Sequence, residues 1–74
     1  MKFNYSSLYN KIVEKYGNQH NFAKASGLSE KSITLKLNGK AEWEQEEIAK
    51  AIELLEIDSS DIPWYFFNYK VQKN

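Results

Sequence analysis

Residues 19–38 read QHNFAKASGLSEKSITLKLN. Two short amphipathic patterns, about 19–26 and about 30–38, flank Ser26-Gly27-Leu28. Asn18 offers an N-cap for the first pattern and Ser29 for the second. Gly27 tolerates the left-handed backbone that ends a helix. Ala23 is small enough to let two helices approach closely, and Leu28, just ahead of the Ser29 cap, is placed to staple onto Ile33. Turning the second helix by 100° per residue puts Ile33 and Leu37 on the inner face. Lys31, Thr34, Leu35 and Asn38 then point outward, with Glu30 beside them in the first turn. Two helices joined by so tight a turn form a helix-turn-helix.

The flanking sequence supplies the rest of a small bundle. An amphipathic pattern at about 6–16 carries Leu8, Ile12, Val13 and Tyr16, with Asn4 or Ser6 as cap. A second lies at about 44–56, where Ile48, Ile52 and Leu55 form the stripe and Glu44, Glu46 and Glu47 suit the positive end of the helix dipole. Asp58, Ser59 and Ser60 restart the chain into a short helix near 60–67. Residues 67–74 read as an extended or frayed tail. The expected architecture is all-α: one domain over residues 1–74, a compact bundle of four to five short helices around a central helix-turn-helix.

Charge is distributed unevenly although the net charge is zero. Residues 1–40 hold seven lysines against Glu14 and Glu30, a balance of +5; residues 41–74 hold three lysines against eight acids, a balance of −5. A basic half of this kind suits phosphate. Arginine, the commonest bidentate reader of guanine, is absent. The chain has no cysteine, so disulfides and thiolate metal sites are excluded, and His20 stands alone, so no metal site is expected. No apolar run is long enough to span a bilayer and the N-terminus lacks a secretory h-region, so a cytoplasmic protein without membrane contact is expected. No nucleophile–base pair or phosphate loop is present, which argues against an enzyme, a cofactor or a small-molecule ligand.

The segment resembles the helix-turn-helix of the Cro and lambda-repressor-like family of phage regulators. The resemblance rests on A-x-x-x-G-L-S-x-x-x-I, carried by Ala23, Gly27, Leu28, Ser29 and Ile33, and on Asn38-Gly39-Lys40 after it. One helix before the motif and two after it also fit. LNGKAEW, EEIAKAIELLEI and the aromatic WYFF look most like short Cro-like or modulator-of-repression proteins of temperate phages. The chain departs from the family at Lys36-Leu37, where many members carry Trp-Glu, which implies different packing at the end of that helix.

The outer face, taken with the resemblance to phage regulators, implies two functions. The first is a sequence-specific transcriptional regulator in a phage lysis/lysogeny switch, with helix 30–38 in the major groove of an operator. Lys31 would donate to guanine, Glu30 would accept from cytosine, and Thr34 and Leu35 would meet bases or a thymine methyl. Gln19, Ser29, Asn38 and Lys40 complete the DNA-facing set, chiefly toward phosphate. The alternative is a protein-binding modulator that grips another phage repressor through the same scaffold. Zero net charge, the missing arginine, and the outward Leu35 with the aromatic tail favour it. A further partner surface is expected in Trp64, Tyr65, Phe66, Phe67 and Tyr69: five of eleven aromatics within six residues. A two-fold homodimer through that cluster would place two recognition helices about 34 Å apart.

Overall fold

A computed structural model describes residues 3–69. Within them lie five α-helices and one 3-10 turn: α1 (Ser6–Tyr16), α2 (Gln19–Ser26), α3 (Glu30–Leu37), α4 (Gln45–Leu55), the 3-10 turn (Ser59–Asp61) and α5 (Ile62–Phe66). The all-α bundle expected from the sequence is what forms. Each boundary has a local cause. Asn4 Oδ1 accepts the Ser6 N–H at 2.9 Å at the start of α1. Asn18 Oδ1 accepts the Asn21 N–H at 2.8 Å and opens α2. Asn21 Nδ2 in turn donates to the Tyr16 carbonyl at 2.9 Å, which fixes the corner between α1 and α2.

Gly27 ends α2 with φ of 81°, and its N–H donates to Ala23 O at 3.0 Å. A Cβ there would meet no atom, so glycine is required by its backbone conformation alone. Ser29 Oγ accepts the Ser32 N–H at 3.1 Å and starts α3 one residue after Leu28 turns into the core. Asn38 caps α3 rather than continuing it, so the helix is one residue shorter than its pattern predicts. The last helical pattern, expected at 60–67, divides into the 3-10 turn and α5, with Pro63 in the first turn of α5.

α1 packs on the other four helices, and α2 packs on both α3 and α4. Leu8, Ile12, Phe22, Ala23, Ile33, Ala51, Leu55, Ile57 and Phe66 form the core. Ala23 is buried beside α3, where a larger residue would push the two helices apart. Val13, expected on the inner face of α1, is exposed; Leu8, Ile12 and Tyr16, each four residues apart, set that face instead. On α4, Ala51 and Leu55 are buried, while Ile48 and Ile52 are half-buried against the core.

The two ends of the described chain meet. The Asn4 N–H donates to Asn68 O at 2.6 Å, and Phe3 and Tyr69 form a single antiparallel bridge. Of the tail expected at 67–74 as extended or frayed, Tyr69 makes this bridge, and 70–74 lie outside the described residues. No described helix is long and apolar enough to cross a membrane.

Candidate functional site

The outer face of α3 forms as the helical phase predicts. Lys31, Thr34 and Leu35 are exposed, as are Asn38 and Lys40 beyond the helix end. Leu35 is 36% exposed, an aliphatic side chain in the middle of an otherwise polar surface. Ile33 is fully buried opposite it, and Leu37 is half-buried.

Several polar groups on this face are already engaged. Gln19 Nε2, at the start of α2, donates to Thr34 Oγ1 at 2.5 Å. The Thr34 hydroxyl donates to the Glu30 carbonyl at 3.0 Å, so its proton and one lone pair are both in use. Glu30 Oε1 lies 3.2 Å from His20 Nδ1. Ser29 Oγ holds the α3 cap. The Gln19–Thr34 and His20–Glu30 contacts tie the start of α2 to α3. The side chains of Lys31, Asn38 and Lys40 make no hydrogen bond or ion pair within the described residues. Lys40 is positioned by its backbone, whose N–H donates to Leu35 O at 2.9 Å just after Gly39.

Lys36 is the residue that sequence reasoning missed. It is 6% exposed, and its Nζ donates to Glu42 O at 2.9 Å and to Glu47 Oε1 at 2.9 Å. Glu47 Oε1 also accepts the Glu44 N–H at 2.9 Å at the start of α4. One buried ammonium thus ties the last turn of α3 to the following loop and to α4. Burial pushes the Glu47 carboxyl upward, but the Glu44 N–H and the Lys36 ammonium outweigh it and hold the group below its ordinary range. The departure at Lys36-Leu37 is therefore a change in packing: a polar tie occupies the inner side of α3.

Beside the outer face runs a groove of about 540 Å³. Tyr9 and Asn10 of α1 line it together with Gln19, Thr34 and Asn38. Phe3, Tyr5 and Leu37 supply its apolar lining, and none of the described residues that line it is charged.

The aromatic cluster divides. Phe66 is 2% exposed and stands edge-on to Trp43 at 5.4 Å, so it belongs to the core and not to a partner surface. Tyr65 is half-buried against the same core. Trp64, Phe67 and Tyr69 stay exposed, and Phe3 covers part of the last two, with ring centroids at 5.8 Å and 5.1 Å. A five-residue helix presents one face to its neighbours, so it buries one ring of the run fully, Tyr65 only in part, and leaves Trp64 outside.

Residues 1–69 match the family model described as "Protein of unknown function (DUF739)". The chain belongs to the DUF739 family. It is also similar to the modulator of repression (MOR) of the temperate bacteriophage TP901-1 from Lactococcus lactis, known from a solution structure. The two are 56% identical, the likeness covers 97% of each chain, and the TM-score is 0.78. Among curated proteins, none matches. This DUF739 chain is thus kin to a regulator of a temperate phage. The relative's name speaks of modulating repression, and neither match names the Cro and lambda-repressor-like group.

Proposed function

We propose that the chain is a protein-binding modulator of a phage repressor, docking through the outer face of α3. The observation that carries this reading is its 56% identity, over 97% of both chains, with a phage modulator of repression. The chemistry of the face supports it. A DNA reader gains most of its affinity by neutralising phosphates with lysine and arginine. This face offers Lys31 and Lys40, has no arginine to add to them, and sets Leu35 between them. Glu30 adds a carboxylate that phosphate would repel, while Thr34 and Gln19 spend bonding capacity on each other. An exposed aliphatic residue framed by rigid polar groups suits a protein partner. The chain acts by association, without catalysis or cofactor, and the proposal needs no second copy of it.

Calorimetric titration with the purified repressor of phage TP901-1, and with a duplex carrying that phage's operator, tests the proposal. The repressor is expected to bind, and Leu35→Asp to weaken that binding about tenfold or more with an unchanged melting temperature. The operator duplex is expected to bind only weakly, with the salt dependence of a non-specific contact. Tight, sequence-selective binding to the duplex by the chain alone, with no affinity for the repressor, would return the outer face to DNA reading.

A further inference from the structure

The groove beside α3 adds residues that the outer face alone does not contain. Tyr9 and Asn10 lie on α1, yet they share a cavity of about 540 Å³ with Gln19, Thr34 and Asn38. That volume is of the size that takes one or a few side chains of a partner. The Gln19–Thr34 bond holds these two lining side chains in place before anything binds, which lowers the entropy cost of docking.

We propose that this groove seats an uncharged segment of the partner regulator, with one apolar anchor side chain on Phe3, Tyr5 and Leu37. This rests on the protein-binding reading above and extends the interface from α3 onto α1. The lining identifies the occupant. With no charged residue among the described lining, a phosphate finds no counter-charge there, and neither does an acidic or basic side chain. Carboxamides, by contrast, present both a donor and an acceptor, which matches peptide groups and amide side chains. Asn10 and Asn38 offer such groups, and Gln19 keeps its amide oxygen after donating to Thr34. Tyr9, exposed at the rim, supplies a large ring with little side-chain entropy to lose. Gln19, Thr34 and Asn38 border both the groove and the outer face, so one partner covers both together.

The test uses two variants at exposed positions of α1, Tyr9→Ala and Asn10→Lys, with far-UV circular dichroism melting to confirm that both fold. Each is titrated against the TP901-1 repressor and against the operator duplex. The expected result is a loss of about tenfold or more in repressor affinity for both variants, with unchanged melting. If both bind the repressor as tightly as the unaltered chain while Leu35→Asp does not, the groove is empty in the complex; the inference fails and the protein-binding reading stands. Tighter repressor binding by Asn10→Lys would identify an acidic occupant, and tighter duplex binding with unchanged repressor affinity would identify a phosphate track; either overturns the proposal. No repressor binding by the unaltered chain would overturn the protein-binding reading and the groove assignment with it.

Discussion

Replacing Lys36 with alanine is expected to destabilise the domain by about 2–4 kcal/mol. Removing one partner of a buried pair leaves the other charge desolvated and unpaired, at a cost of about 3–5 kcal/mol when burial is complete. Glu47 keeps 16% of its side chain in contact with water, which lowers that figure. The loss is still large for 74 residues, whose total stability is on the order of 4–11 kcal/mol. The double variant Lys36→Met with Glu47→Gln removes both charges and keeps an acceptor for the Glu44 N–H. It is expected to lose less than half as much as Lys36→Ala. Urea denaturation of the two variants measures this directly, and a double variant at least as damaged as Lys36→Ala would show that the two charges are not coupled. The same pair sets an acid dependence. The Glu47 carboxyl titrates lower in the folded state than in the unfolded chain, so its contribution is full above the ordinary glutamate range, about 4.3. It is lost as pH falls from there through the folded value. In Glu47→Gln that part of the acid slope is expected to flatten.

Phe66→Ala is expected to cost about 3–5 kcal/mol, the usual range for deleting a buried phenyl ring from a packed core. It would leave a hole against Trp43 between α5 and the rest of the bundle. Trp64→Ala, two residues away, removes a side chain that is 57% exposed and is expected to change stability by less than about 1 kcal/mol. Thermal or urea denaturation of the two variants separates them. Equal losses would mean that Trp64 and Phe66 share the burden of closing the core, against the phase that α5 gives them.

The elements with a strong local signal are legible in the sequence. Asn18, Gly27 and Ser29 punctuate the chain through their own side-chain or backbone chemistry: α2 begins and ends on the first two, and α3 begins on the third. The outward set of Lys31, Thr34 and Leu35 follows from the phase fixed by Ile33 and Leu37. Phase fails where few turns define it. Val13 sits next to Ile12 and is equally apolar, but only one of the two can face the core. In the aromatic run, five residues of helix are too few to show from periodicity which ring turns inward. Lys36 is hidden for another reason. It lies three residues after Ile33, on the inner side, but its partners Glu42 and Glu47 belong to a loop and to another helix. No local pattern announces a charge pair made across tertiary structure. The groove is invisible in the sequence for the same reason, because it joins Tyr9 and Asn10 to residues far along the chain.

The most direct test of the central claim is operator occupancy. A phage repressor such as that of TP901-1 is bound to its operator at fixed concentration, and the chain is added stepwise while occupancy is read by gel shift or fluorescence anisotropy. A modulator that acts through protein contact changes repressor occupancy in a saturable way, at chain concentrations where the chain alone leaves the operator free. Unchanged occupancy at saturating chain, together with specific operator binding by the chain alone, would contradict that account and identify a DNA-binding regulator.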